Sequence, residues 1–274
     1  MELNLSFRHR SFRVISGDMQ LIDDLTRMFA RPSRSDWGAD CVVLSAGRII
    51  DEHSGFTVRG MIMQQMSDAL CQAGTDQGVI MHSAGVLLDG QAVCFVGASG
   101  SGKTSMAIEL ARYGVLMGDE CAFLDISSAT VFYEDFPLQL KTENRALLSR
   151  FEESSTMLAY MPNGRKAVYC APDSLPDYGG EGTREAPLRF IVFPAYDRRC
   201  RSTKIACMDA RFLPQNVLES LMSCDSPSVL LRCFLHMCSI YKIVLLRVTY
   251  SNGGDAAFAL QRYLRGGYFD GHLG

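Results

Sequence analysis

An eight-residue segment of this chain has the residue types and spacing needed to hold phosphate groups. It reads G-A-S-G-S-G-K-T over residues 97 to 104 and matches the pattern G-x-x-x-x-G-K-[ST]. Its glycines let the backbone turn tightly and point N–H groups at phosphate oxygens, and the helix that follows presents its positive end. Lys103 is expected to reach the β- and γ-phosphates, and the Thr104 hydroxyl to bind Mg²⁺. The predicted phosphate contacts are Gly97, Ala98, Ser99, Gly100, Ser101, Gly102, Lys103, Thr104 and Ser105.

Two adjacent carboxylates, Asp119 and Glu120, are expected to lie at the level of these phosphates. A helix of about eleven residues after the loop advances roughly 16 Å. The short apolar strand Val115 to Met117 and the residues beside it return a comparable distance at roughly 3.3 Å per residue. One carboxylate could accept the proton of an attacking hydroxyl while the other holds Mg²⁺. The alternative is a solvated turn at the end of a strand.

The elements before the loop are expected to form a hairpin that delivers it. Val79 to Leu88 and Gln91 to Val96 read as strands, and the Asp89-Gly90 pair between them is a hairpin turn signal. His82 lies in the first of these strands, either as a core residue or beside the phosphates. Further along, Arg198, Arg199 and Arg201 read either as a solvated loop or as anion contacts.

The rest of the chain alternates helical and strand patterns, which predicts an α/β fold with a central mixed sheet and helices on its faces. A small N-terminal α/β domain is predicted for residues 1–77 and a larger domain for residues 78–274. The predicted N-terminal elements are strands within Leu3–Ile15, a helix capped by Asp18 that runs to about Ala30, a buried strand Cys41–Leu44 and a helix Gly60–Ala73. The later strands are Val131–Tyr133, Gln139–Lys141, Lys166–Cys170, Leu188–Phe193 and Lys242–Tyr250, and the later helices are Glu143–Glu152, Asp209–Met222, Ser226–Tyr241 and Gly254–Leu264. Asp173–Pro187 is predicted to be a loop, either over a substrate or at the surface.

Composition narrows the class of protein. The 274 residues are 47% hydrophobic with a net charge of −3, which gives no overall electrostatic signal for nucleic-acid binding. Apolar runs fall short of a bilayer span, and the start of the chain has no signal-peptide pattern. The ten cysteines form no C-x-x-C pair. We therefore expect a protein of the reducing cytoplasm without membrane or nucleic-acid partners.

Several classes of phosphate-loop protein are disfavoured by missing motifs. An L-S-G-G-Q segment typical of ABC-type ATPases is absent, as is the N-K-x-D segment that specifies guanine. The arginines are not arranged as in the lid of an adenylate-kinase-type enzyme.

The motifs that are present resemble the bacterial HPr kinase/phosphorylase superfamily, over about Gly78 to Leu264. The resemblance rests on a His-bearing strand, the glycine-rich loop, an acidic pair at a strand end, a P-x-x-x-x-K element and a later strand. In this chain these are Met81–Leu88, residues 97 to 104, Gly118–Glu120, Phe136–Lys141 and Ala186–Pro194. The resemblance implies a phosphate-loop mixed sheet flanked by helices, with ATP and Mg²⁺ as cofactors.

The resemblance also implies roles for individual residues. Asp119 would be the base toward a serine hydroxyl, and Glu120, with Thr104, would bind the Mg²⁺. His82 would lie beside the phosphates, and Lys103 and Lys141 would complete the catalytic set. Members of the superfamily often assemble as homo-oligomers.

This chain departs from full-length members of the superfamily in ways that bear on the acceptor. Thr104-Ser105 replaces their usual Ser-Glu, Asp-Glu replaces Asp-Asp, and the signature linked to the phosphorylase reaction and HPr docking is not recognisable. The layout is similar to that of shorter relatives that phosphorylate a terminal serine of lasso-peptide precursors. The leading hypothesis is therefore a serine kinase acting on a peptide. A kinase of a free amino acid or other small molecule, a kinase of an HPr-like protein, and a non-catalytic ATP sensor are the alternatives.

Overall fold

The computed structural model describes residues 1–6, 11–29, 41–46, 52–72, 78–134, 136–161, 164–175, 184–209 and 227–266. Its strands are β1 Glu2–Ser6, β2 Ser11–Ile15, β3 Cys41–Ser45, β4 Gly78–Leu88, β5 Gln91–Val96, β6 Val115–Gly118, β7 Cys121–Asp125, β8 Thr130–Tyr133, β9 Leu138–Lys141, β10 Thr156–Tyr160, β11 Lys166–Cys170, β12 Glu185–Tyr196, β13 Lys204–Cys207 and β14 Val244–Tyr250. Its helices are α1 Met19–Met28, α2 Glu52–Gln72, α3 Lys103–Leu110, α4 Arg145–Leu148, α5 Pro227–Ile240 and α6 Gly253–Arg265.

The largest sheet has the strand order β13-β14-β12-β5-β4-β7-β8, with β6 paired beside β4. Strand β12 runs parallel to both β5 and β14, whereas β4 is antiparallel to β5, β6 and β7. The first residues of β12 also pair with β8. Strands β12, β5, β4, β7 and β8 therefore form a closed ring. The prediction of an α/β fold built on a mixed sheet flanked by helices is confirmed.

Strand β5 is buried on both faces, which explains its uninterrupted apolar sequence. Val93 and Phe95 pack with residues of α3 and α6 on one face. Cys94 and Val96 pack with residues of α5 on the other face. The strand that carries the glycine-rich loop is therefore held in the centre of the molecule.

The hairpin that precedes the loop forms as predicted. Asp89 and Gly90 both have positive φ angles, 51° and 79°, as a two-residue hairpin turn with the twist of its strands requires. Strands β4 and β5 pair from Ser83 opposite Val96 to Leu88 opposite Gln91.

The N-terminal elements share a hydrophobic cluster with later parts of the chain. Strands β1, β2 and β3 form one small sheet, and β10, β11 and β9 form another. Leu25 of α1 and Met63 of α2 are buried in the same cluster as Phe123 of β7 and Tyr169 of β11. The predicted boundary near residue 77 falls at residues 73–77, outside the described ranges, and stays a prediction.

Several predicted elements differ from the structure. Helix α2 begins at Glu52, eight residues before Gly60. Strand β3 is only partly buried, since Leu44 is in the core but Val43 is 56% exposed. The helix predicted over Glu143–Glu152 is reduced to α4, and β10 was not predicted. Strand β12 continues past Pro194, because its pairing with β5 has ended at Val192 and the missing N–H interrupts no bond to β5.

Two predicted segments lie wholly or partly outside the described residues. The helix predicted over Asp209–Met222 falls on residues 210–226. Of the loop predicted over Asp173–Pro187, residues 176–183 lie outside the described ranges. Its first residues belong to a 3₁₀ turn and its last residues belong to β12.

Candidate active site

The glycine-rich loop joins β5 to α3 through a backbone that only glycine adopts freely. Gly97, Gly100 and Gly102 have φ angles of 148°, 83° and 103°. Lys103 is the first residue of α3 and is 6% exposed. Its Nζ donates to the carbonyl oxygens of Gly97 at 2.9 Å and Ala98 at 3.4 Å. The ammonium group is thus held inside the curve of the loop.

Strand β6 returns the chain to the loop, as the length argument requires. The Thr104 hydroxyl donates to Oδ2 of Asp119 at 2.9 Å, and Asp119 is 2% exposed. Burial, and next the charge of Glu120, raise the pKa of Asp119 to about 6, against the hydrogen bond from Thr104. Thr104, one of the two residues expected to bind Mg²⁺, is therefore in direct contact with Asp119, the expected base, and not with Glu120.

Glu120 lies in a strained turn between β6 and β7. Its φ is 69°, in the left-handed region, and the Cys121 N–H donates to the Asp119 carbonyl oxygen at 2.9 Å. A hydrogen bond between residues two apart around a positive φ is a γ-turn of the rare, strained kind. Strain of this type is often concentrated at functional sites. Here the turn directs the Glu120 side chain toward a cavity, which Asp119 does not line.

His82 is placed beside Glu120 by the pairing of β4 with β7, where it lies opposite Cys121. Its Nε2 is 3.8 Å from Oε2 of Glu120. Burial, followed by the positive charge of Lys103, lowers the pKa of His82 to about 4. Burial also raises the pKa of Glu120, against the effect of Lys103. His82 is consequently a neutral imidazole at pH 7.

Strand β9 and the turn after it bring two more predicted residues to the loop. A Cβ atom placed on Gly100 would lie 3.0 Å from Nζ of Lys141. In the same region, Nδ2 of Asn144 donates to Oγ of Ser105 at 3.1 Å. Lys141 therefore places a second cation beside the glycine-rich loop.

A cavity of about 870 Å³ connects these groups. Near the loop it is lined by His82, Lys103, Thr104, Glu120 and Lys141. One wall consists of polar residues of α2 and of the sheet of β9 and β11, namely Gln64, Ser67, Asp68, Gln139 and Tyr169. On the other side of the loop, next to Gly102, the cavity is lined by Tyr196, Arg198, Tyr250 and residues 251–254. Of the three candidate arginines, Arg198 alone is part of the lining among the described residues.

Apart from Arg198, the residues that line the cavity away from the loop, on the α2, β9 and β11 side and around Tyr196, were not predicted from the sequence as site residues. The Ser67 carbonyl oxygen contacts Sγ of Cys121 at 3.9 Å, which brings α2 against the acidic turn. Tyr169 is close enough to Glu120 that the carboxylate, after burial, raises the pKa of the tyrosine. Such neighbours come from different sheets and helices and have no short-range pattern that could identify them.

The donor atoms present fit a Mg²⁺ ion that is shared with a nucleotide. In the part of the chain that the structure describes, no group of three or more His, Cys, Asp or Glu residues could hold a metal by itself. Mg²⁺ is usually bound by one or two carboxylates together with phosphate oxygens and water. Thr104 and the acidic pair supply a donor set of that size.

Comparisons with known proteins give little further information. No family model matches the sequence, and no curated protein matches it. Among solved structures, the HPr(Ser) kinase/phosphatase from Coxiella burnetii is similar over 68% of this chain and 94% of that chain, at 8% identity and a TM-score of 0.31. A similarity this weak supports no conclusion about the fold family or the function of this chain. Separately, none of the helices within the described ranges has the length and apolar composition needed to span a bilayer.

Proposed function

We propose that this protein is an ATP- and Mg²⁺-dependent kinase that transfers the γ-phosphoryl group to a serine hydroxyl of a peptide. The observation that carries the proposal is the convergence of Lys103, Thr104 and Glu120 at one end of a single cavity, where Asp119 accepts a hydrogen bond from Thr104. A loop that binds phosphate, a metal-organising hydroxyl and a carboxylate facing the cavity are the parts that phosphoryl transfer requires.

The loop would hold the triphosphate. Its amides and the N-terminal end of α3 would surround the β- and γ-phosphates. Lys103 would exchange its bonds to the loop carbonyl oxygens for bonds to phosphate oxygens. Lys141, beside Gly100, would stabilise negative charge on the transferred group.

We assign the two carboxylates to different tasks from those implied by the family resemblance. The resemblance makes Asp119 the base and Glu120 the metal-associated acid. The contacts favour the reverse, because Asp119 is buried and accepts the Thr104 hydrogen bond, whereas Glu120 lines the cavity. Asp119 would accordingly hold Mg²⁺ with Thr104, and Glu120 would accept the proton.

The reaction then proceeds by in-line displacement. The serine oxygen attacks the γ-phosphorus, the bond from that phosphorus to the β–γ bridging oxygen breaks, and ADP leaves with the electron pair. The hydroxyl proton passes to Glu120, whose raised pKa makes it a better proton acceptor than an ordinary carboxylate. Thr104 and Asp119 would hold the Mg²⁺, which when bound would supply positive charge to neutralise the phosphate oxygens. Neutral His82, 3.8 Å from Glu120, would orient that carboxylate.

The acceptor would enter between Glu120 and the wall formed by α2, β9 and β11. Polar side chains on that wall, such as Gln64 and Gln139, can bind the amide groups of a peptide. The choice of a peptide, and of the lasso-precursor class in particular, comes from the sequence resemblance and the room beyond Glu120.

Release of ADP that depends on the acceptor tests this function. The protein is mixed with Mg-ATP and with serine-containing peptides, free serine or an HPr-like protein. Stimulation by a peptide supports the proposal, and stimulation by free serine alone would instead favour a small-molecule kinase.

The division of roles between the two carboxylates is tested by Asp119→Asn and Glu120→Gln. Asp119→Asn should weaken Mg²⁺ binding, while Glu120→Gln should bind Mg-ATP normally and fail in transfer.

A further inference from the structure

The end of the cavity opposite the acidic turn is not used by the chemistry proposed above. It is formed where β12 and β14 end, next to the glycine-rich loop. Because β12 is parallel to β5, Tyr196 at the end of β12 and the loop at the end of β5 emerge at the same edge of the sheet. Ligands of open α/β sheets bind outside the carboxyl ends of the strands.

Tyr196 is a large aromatic residue that lines this end of the cavity and is 52% exposed. Its ring meets the ring of Tyr250 edge to face, with centroids 5.8 Å apart and planes at 68°. Tyr250 is itself 4% exposed, and its hydroxyl occupies the space where a side chain on Gly102 would project. The exposed ring is therefore fixed, through a buried one, to the loop that would hold the phosphates.

The position of the acidic turn decides the direction in which a bound nucleotide extends. Thr104 and Asp119 lie on the β6 side of the loop. Glu120, with His82 beside it, lies near the cavity wall formed by α2, β9 and β11. Tyr250 reaches the loop from the β14 side at Gly102. A nucleotide with its γ-phosphate near Glu120 must direct its base away from that carboxylate, toward Tyr196.

We propose that Tyr196 is the stacking platform for the nucleobase of the bound nucleoside triphosphate. The turn of residues 251–254, which leads into α6 and lines the same end, covers the sugar and the edge of the base. This assignment rests on the proposed function. It adds a binding determinant that is separate from the phosphate contacts and that every nucleobase can use through its π-face.

The test compares a ligand that has a base with one that has none. Binding of Mg-ATP and of Mg-tripolyphosphate is measured by calorimetry for the unaltered protein and for Tyr196→Ala, Tyr196→Phe and Phe258→Ala. Phe258 is the control, because it is an aromatic residue of similar exposure, 50%, that lies on α6 and is not part of the cavity lining. Tyr196→Ala should weaken Mg-ATP binding roughly tenfold or more and leave tripolyphosphate binding unchanged. Tyr196→Phe and Phe258→Ala should bind both ligands normally.

The outcomes separate failure of this assignment from failure of the proposed function. If tripolyphosphate binds but Mg-ATP binds no more tightly, or if Tyr196→Ala leaves Mg-ATP binding intact, the platform is overturned while the phosphate site survives. Equal weakening of both ligands by Tyr196→Ala would also overturn it, since the effect would then come from the loop. If neither ligand binds the unaltered protein, the proposed function fails and the platform fails with it.

Discussion

The hydroxyl of Thr104 donates a hydrogen bond of 2.9 Å to the carboxylate of Asp119. The contact joins the first turn of α3 to the end of β6 inside the hydrophobic interior, where Asp119 is 2% exposed. Both groups are oxygen donors of the kind that Mg²⁺ prefers. The bond therefore holds the two proposed metal-organising residues together before any nucleotide binds.

Replacement of Thr104 by valine should remove this hydroxyl with almost no change in side-chain shape. We expect the affinity for Mg²⁺ in the presence of ATP to fall roughly tenfold to hundredfold, because one donor and the orientation of another are lost. Titration of transfer activity with Mg²⁺ measures the change. Thr104→Ser is the matched control and should restore most of the affinity. Normal Mg²⁺ dependence in Thr104→Val would contradict the role given to the hydroxyl.

Asp119→Asn should change how stability depends on pH. The pKa of Asp119 rises from an ordinary value of 3.8 to about 6 in the folded protein, mainly through burial. Between about pH 4 and pH 6 the folded state keeps a proton that the unfolded state has lost, so this group makes the protein less stable as pH rises. Asparagine cannot ionise and removes that loss. The gain in unfolding free energy of Asp119→Asn over the unaltered protein should therefore increase from pH 4 to pH 7, by up to about 3 kcal/mol.

Denaturant unfolding at several pH values measures this difference. His82 titrates with the opposite sign, because burial lowers its pKa to about 4. The charge of Asp119 raises the pKa of His82, so Asp119→Asn lowers it further, and above about pH 5 the folded His82 is neutral in both proteins. A gain that stays constant with pH would show that Asp119 is ionised at no cost in the folded state.

Two substitutions of Glu120 distinguish the effect of backbone strain from the effect of losing the carboxylate. Glu120→Ala and Glu120→Gly both remove the carboxylate, but only glycine adopts the φ of 69° without strain. The glycine variant should be more stable than the alanine variant by about 1 kcal/mol or more in denaturant unfolding. Both should lose transfer by roughly 10²-fold or more if Glu120 is the base. Equal stability of the two variants would argue against strain in this turn.

A substitution of Gly60 tests the packing of α2 against β10. A side chain on Gly60 would overlap the backbone carbonyl of Tyr160 in β10. Alanine normally improves a helix interior by about 1 kcal/mol over glycine, yet here Gly60→Ala should destabilise the protein by about 1–3 kcal/mol. The control is Gly17→Ala, because no atom lies within 4 Å of a Cβ placed there. An equal change in thermal stability for the two variants would contradict the packing of α2 on β10.

The local parts of the site could be predicted from the sequence because they depend on short-range rules. The turn at Asp89 and Gly90, the glycine-rich loop and the return of β6 to the level of Thr104 each follow from residue types and from helix and strand lengths. The cap of α1 is of the same kind, since the Asp18 carboxylate accepts from the Leu21 N–H at 3.2 Å, as predicted.

The outer walls of the site could not be predicted, because they depend on pairings between distant segments. Nothing in the residues around Gln64 indicates that they face the site, which follows only from the packing of α2 on β10. The same holds for Tyr250, whose role beside Gly102 requires β14 to lie next to β12. The proposed division of roles between Asp119 and Glu120 depends on a single γ-turn, which leaves Asp119 buried in the protein while Glu120 lines the cavity.

Transfer of phosphate to a serine peptide is the most direct test of the proposed kinase activity. The protein is incubated with Mg-ATP and a panel of serine-containing precursor peptides, and the products are analysed by mass spectrometry, with Lys103→Met as the inactive control. The unaltered protein should form a peptide that carries one added phosphoryl group on serine, and the control should not. Tight ATP binding with no phosphorylated peptide, no phosphorylated free serine and no hydrolysis would contradict this activity and would favour a nucleotide sensor.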